Sequence, residues 1–136
     1  MESAERPLQC VVVTPERAVL DEPADFVALP MYDGELGVLP GRAPLIGRLG
    51  FGELRLRRGP DTKRFFIEGG FAQVRSDVVT VLTDRAQRAE DINAVAAEQT
   101  LAQNADTALT PEARAAHAKA QERARAQLRV ARNARH

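Results

Sequence analysis

Asp33-Gly34-Glu35-Leu36-Gly37-Val38-Leu39-Pro40-Gly41-Arg42-Ala43-Pro44 packs three glycines and two prolines into twelve residues. Glycine admits positive φ and close backbone approach, while proline fixes φ and donates no hydrogen bond. A segment of this composition does not hold a helix. It predicts a turn at Asp33-Gly34, a short strand through Leu36 and Val38, and a rigid corner at Pro40-Gly41 before the next strand.

Short strands extend outward from it on both sides. Upstream, the β-branched run over residues 8–14 predicts one strand. Thr14-Pro15-Glu16-Arg17 turns it into a second over 17–21, and Pro23 punctuates before a third over 25–31. Downstream come residues 45–49 and then Glu53-Leu54-Arg55-Leu56-Arg57. Its alternation predicts Leu54 and Leu56 inside and Glu53, Arg55 and Arg57 in water. Gly59-Pro60-Asp61 turns the chain into Phe65-Phe66-Ile67-Glu68, and Gly69-Gly70 breaks that strand. Residues 71–75 and 78–83, separated by Ser76-Asp77, close the series. Eight to ten short strands with turn signals about every ten residues predict an antiparallel sandwich or barrel over residues 1–84.

After Asp84 the composition changes to alanine-rich, with no glycine and a single proline. Alanine, Glu, Gln, Arg and Leu are the strongest helix formers. Two helices are expected, over about residues 91–105 and 111–133, parted at Asp106-Thr107-Ala108-Leu109-Thr110-Pro111. Thr110 is placed as N-cap, with Pro111 at the first helical position and Glu112 in the first turn. Ala113, Ala116, Ala120, Ala124, Ala131 and Ala134 form a small-residue seam on the second helix, which predicts an antiparallel hairpin over 85–136. Methyl groups bury little surface, so such a hairpin is weakly held.

The charge balance excludes a general nucleic-acid binder: 19 Lys and Arg offset 19 Asp and Glu. Cys10 is the one cysteine, so an intrachain disulfide and a paired-cysteine metal site are excluded. His117 and His136 both fall in the alanine-rich tail, where solvated positions are expected. Asp33 and Glu35 flank a turn with no accompanying nucleophile. The glycines lie in β-turn contexts and form no phosphate loop. Neither catalysis nor a cofactor or metal site is therefore expected. No apolar run approaches the roughly 20 residues of a membrane span.

The order of residues through the central stretch resembles the signature of the epsilon subunit of F-type, proton-translocating ATP synthases. That family carries Gly-Glu-Leu-Gly and then Pro-Gly-His-Ala-Pro-Leu, matched here from Gly34 to Leu45 except that Arg42 stands where histidine is usual. Val12-Val13-Thr14-Pro15, Gly69-Gly70-Phe71-Ala72-Gln73-Val74 with Val78-Val79-Thr80-Val81-Leu82, and Arg88-Ala89-Glu90-Asp91-Ile92 resemble further family segments in the same order. The resemblance implies an N-terminal β-sandwich of about ten strands (residues 1–84) and a C-terminal helical hairpin (85–136). It implies a non-catalytic central-stalk rotor subunit bound to the gamma subunit and the c-ring, which couples proton-driven rotation to ATP synthesis. Its location would be peripheral, on the cytoplasmic side of a bacterial membrane, reached only through the complex. Tyr32, Asp33 and Arg42 would meet the c-ring. The hairpin would inhibit ATP hydrolysis through Arg123, Arg125, Arg129 and Arg132, set against an acidic segment of beta in the alpha/beta hexamer.

Some bacterial members bind ATP through Ile/Leu-Asp-x-x-Arg-Ala. Here the matching run is Ile92-Asn93-Ala94-Val95-Ala96-Ala97, so Asn93 replaces the acid and Ala96 the arginine. Loss of a planar cationic donor leaves little to anchor phosphate, and weak or absent ATP binding is expected. The competing reading is a free-standing interaction module whose basic tail binds another protein.

Overall fold

The computed structural model describes residues 7–103 and 110–134. The expected break at Asp106–Leu109, the end of the first helix beyond 103, and the tail residues Arg135 and His136 lie outside them.

Ten strands follow in chain order: β1 (Leu8–Val13), β2 (Ala18–Ala24), β3 (Phe26–Met31), β4 (Gly34–Val38), β5 (Leu45–Arg48), β6 (Phe51–Arg58), β7 (Asp61–Glu68), β8 (Phe71–Arg75), β9 (Val78–Leu82) and β10 (Ala86–Arg88). They form two five-stranded sheets, ordered β2-β1-β9-β8-β5 and β10-β7-β6-β3-β4. The expected sandwich is present. Its pairing differs in one respect, because β1 and β9 run parallel while the other pairs are antiparallel. Alternating side chains such as Leu8, Val12, Val27, Leu54, Val74 and Val81 fill the space between the sheets.

Two local expectations change. Pro23 does not end a strand but lies within β2, opposite Gln9. β2 is an edge strand, so a residue without an N–H can be accommodated there. The last strand of the sheet, β10, follows Asp84 and pairs with β7 through Ala86–Ile67, Gln87–Phe66 and Arg88–Phe65. Sheet pairing therefore continues to Arg88.

A short 3-10 turn over Ala89–Asp91 leads into two helices, α1 (Ala94–Ala102) and α2 (Pro111–Ala134). α1 begins later than expected because Asn93 is extended and caps it: its Oδ1 accepts the Ala96 N–H at 3.0 Å. Thr110 caps α2 as expected, its Oγ1 accepting the Ala113 N–H at 3.0 Å. At 1.5 Å per residue α2 is about 36 Å long and α1 about 14 Å. The short helix covers part of the long one, so the seam is only half used. Ala124 and Ala131 are buried and Ala120 half-buried, whereas Ala113, Ala116 and Ala134 are exposed. Gln121 Nε2 ties the pair, donating to the Thr100 carbonyl at 2.7 Å.

α2 lies on the outer face of the β10-β7-β6-β3-β4 sheet, which corrects the expectation that Glu53 faces water. Arg55 is also partly covered, within the sheet, by Glu35, Glu53 and the Phe26 ring. The Glu53 side chain is only 11% exposed. It accepts Arg64 at 3.0 Å and Asn133 of α2 at 3.4 Å. On β7 both faces are covered. Phe65 and Ile67 enter the sandwich core, while Phe66 joins a second cluster with Ala89, Ala126 and Val130, flanked by Phe51 and Ile92.

Candidate interaction surfaces

Strand β4 separates the residues expected at the c-ring. Tyr32 and Asp33 form the β3–β4 turn at one end, and Arg42 lies in the corner beyond the other. Five residues at about 3.3 Å each put roughly 17 Å of strand between them, so the structure does not bring them together. Tyr32 is 65% exposed. The Arg48 guanidinium lies over its ring, 4.5 Å from the centroid. Near this pole an open cleft is lined by Met31, Phe51, Phe71, Leu82 and Thr83, with Glu122 of α2 at its rim.

The Arg42 corner is braced from the other sheet. Arg42 N–H donates to the Leu39 carbonyl at 3.2 Å, and Gly41 N–H donates to Asp77 Oδ1 at 2.8 Å. Ser76 and Asp77 make the β8–β9 turn in left-handed conformations, with φ of 51° and 65°. Aspartate tolerates that region better than most side chains. This brace across 36 residues has no signature in the sequence.

The four tail arginines fall into two kinds. Arg125, Arg129 and Arg132 are exposed on α2, and none enters an ion pair with another described residue. Arg123 faces the sheet, and its Nε and Nη2 donate to the two Glu68 carboxylate oxygens at 2.6 and 2.8 Å. Burial pushes the Glu68 carboxyl up, but the hydrogen bond and charge of Arg123, with Arg85 and Lys119, outweigh it and hold the group below its usual 4.5. Arg123 is held more firmly protonated, chiefly by its hydrogen bond to Glu68. Glu68 was not expected to matter. The available signal was Phe65-Phe66-Ile67-Glu68, a run with no exposed face.

The two sheets differ on their outer faces. One carries α2, and among the described residues no helix or strand covers the other, the bare face. On the bare face Val13, Leu82 and Phe71 stand in register across β1, β9 and β8. Ile46 is 73% exposed, Phe71 55% and Leu82 53%, an apolar surface open to solvent. Cys10 points the other way, into the core, where burial and then Glu22 and Asp21 push its thiol up to about 12. Among the described residues no group of His, Cys, Asp or Glu suits a metal ion, and no helix is long and apolar enough to cross a membrane.

Both the sequence and the fold are similar to those of known proteins. The chain is 55% identical to an ATP synthase epsilon chain of Rhodopirellula baltica over 92% of its own length and 98% of the relative's. It is 38% identical to one from Nitratidesulfovibrio vulgaris over 96% and 99%. A solved structure of Euglena gracilis mitochondrial ATP synthase (OSCP, F1 and c-ring) contains a chain that superposes with a TM-score of 0.75 at 25% identity, covering 90% of this chain and 82% of that one. A chain in the central stalk and c-ring of the Tetrahymena thermophila enzyme shares the fold at 12% identity and a TM-score of 0.64, covering 93% and 97%. The model of the ATP synthase delta/epsilon β-sandwich domain matches residues 7–89, the span from β1 to the turn after β10. With its sandwich matched throughout and its relatives similar along nearly their full length, the chain belongs to the ATP synthase delta/epsilon family.

Proposed function

We propose that this chain is a non-catalytic central-stalk subunit of a proton-driven rotary ATP synthase, joining gamma to the c-ring and restraining ATP hydrolysis with its C-terminal helices. The observation that carries this reading is the contrast between the two outer faces. Three large apolar side chains exposed on one sheet face, Ile46, Phe71 and Leu82, mark a protein contact. We assign it to gamma, because the other face is already occupied by α2. The Tyr32-Asp33 turn is assigned to the polar loops of the c-ring. Arg42, at the opposite end of β4, is assigned to the adjoining part of the stalk, where its permanent charge makes the contact less sensitive to pH than a histidine would. In this reading the subunit is peripheral, held on the cytoplasmic side of the membrane by its partners. The region before Arg88 forms the stalk-binding unit and the helices after it the regulatory one.

Arg125, Arg129 and Arg132 remain exposed while α2 is docked. They form the surface offered to the acidic segment of beta when the helices leave the sandwich.

The test is assembly. Ile46→Lys combined with Phe71→Glu abolishes co-purification with gamma, alpha and beta, while the isolated chain keeps its β-sheet circular dichroism. Single cysteines at Asp33 and Arg42 cross-link to different partners, the c-ring from the first. The buried thiol of Cys10 does not compete. Retained assembly in the double variant, or no c-ring adduct from position 33, refutes these assignments.

A further inference from the structure

The contact holding α2 on the sheet contains one two-pronged ion pair. Arg64–Glu53, within the sheet, is equally shielded, with side chains 26% and 11% exposed, but meets through a single contact at 3.0 Å. Glu68 is 10% exposed and Arg123 27%, and the guanidinium meets both carboxylate oxygens at once. A planar fork on a carboxylate, shielded from water, is the strong form of such a pair. Arg85 adds a second cation, 3.7 Å away, from the segment after β9. Lys119 adds its field from α2.

The apolar part of the same contact centres on one ring. From α2 it is Ala126 and Val130 packed on Phe66, with Ala89, Phe51 and Ile92 around them. Alanine and valine bring little area of their own, so beside the cover of Phe66 the shielded pair is a comparable share of the balance between docked and released helix. Its effect falls on one state alone. If one partner is removed, the other is left under the docked helix without its charge-assisted bonds, whereas in the released state water solvates it.

We propose that Glu68 and Arg123 form the latch that sets the fraction of molecules whose C-terminal helix lies on the sandwich. The latch also decides which charges the helix presents. While docked, Arg123 is neutralised by Glu68, and release returns it to the row of Arg125, Arg129 and Arg132. The consequence for hydrolysis rests on the inhibitory reading above; the latch itself does not.

The experiment compares the full chain with Glu68→Gln, Arg123→Gln and the double variant, reading amide hydrogen exchange over residues 124–131 of α2 and over β8 and β9. Each single variant is expected to speed exchange in α2 roughly 10- to 100-fold while leaving β8 and β9 unchanged. The double variant is expected to exchange no faster than the more affected single one, because both substitutions remove the same interaction and the double leaves no charge unpaired under the helix. Effects that add, exchange in α2 equal to the original chain, or an equal acceleration in β8 and β9 would each overturn the latch. Hydrolysis by the assembled enzyme separates the two readings: Glu68→Gln, releasing the helix, is expected to lower it. Faster exchange with unchanged hydrolysis supports the latch and refutes the inhibitory role.

Discussion

Phe66 offers a direct measure of what docking is worth. Its side chain is fully buried, yet it points away from the core between the sheets and toward α2. An aromatic ring buries about 200 Å², or about 5 kcal/mol at 25 cal/mol per Å². Phe51 and the strand neighbours still cover part of the ring after the helix departs. Assigning about half to the helical segment gives ~2.5 kcal/mol of docking, a change of roughly 70-fold in the docked-to-released ratio. Phe66→Ala is therefore expected to open α2 to hydrogen exchange by that factor and to lower the urea midpoint of the sandwich only slightly. Leu54→Ala is the control, since Leu54 lies in the inter-sheet core and its truncation costs about 2–5 kcal/mol of sandwich stability. The reasoning fails if Phe66→Ala leaves α2 protected, or if it shifts the sandwich midpoint as far as Leu54→Ala.

Acid should release the helix. A carboxyl held below 4.5 in the folded protein contributes stability that is complete above that value and lost as pH falls through the folded pKa. Exchange in α2, corrected for its intrinsic pH dependence, is thus expected to be flat from pH 7 to about 5 and to rise below 4.5, with no such rise in Glu68→Gln. Cutting the chain after Asp84 removes β10 and should cost about 2 kcal/mol relative to a cut after Ala89, seen as a lower thermal midpoint. Gly70→Ala is expected to lose ~3 kcal/mol or more in denaturant unfolding, because φ is +102° there and an added Cβ would overlap the Leu82 carbonyl. Changing Arg125, Arg129 and Arg132 to Ala together should relieve inhibition of hydrolysis in a salt-dependent way without altering α2 exchange, and equal inhibition at all salt concentrations would refute their role.

The strands could be read from the sequence because turn residues and alternation are local signals. Leu54 and Leu56 are buried as their spacing implies. What covers the far side of the same strand is not local. Glu53 alternates as solvent-facing residues do, and α2 meets the sheet through alanines and polar side chains such as Arg123 and Asn133 that a solvated helix also carries, so neither partner advertises the contact. The same limit separates Arg123 from the other tail arginines. All four stand on one helix, and what distinguishes Arg123 is an acid 55 residues earlier in the chain. Tyr32, Asp33 and Arg42 are close in sequence, but a strand between two turns carries its ends apart.

The parallel pairing of β1 with β9 shapes how the chain must be made. A hairpin such as β1–β2 can close as soon as it leaves the ribosome, but the other edge of β1 has no partner until Val78–Leu82 has been synthesised. About 70 residues must follow first, which at 5–20 residues per second is roughly 4–14 seconds of translation. During that interval the apolar residues Leu8, Cys10 and Val12 lack their second sheet neighbour, and an unpaired edge is open to pairing with the wrong strand. Completion of the sheet thus depends on its penultimate strand, and in a growing cell the nascent N-terminus is the part most in need of protection by chaperones.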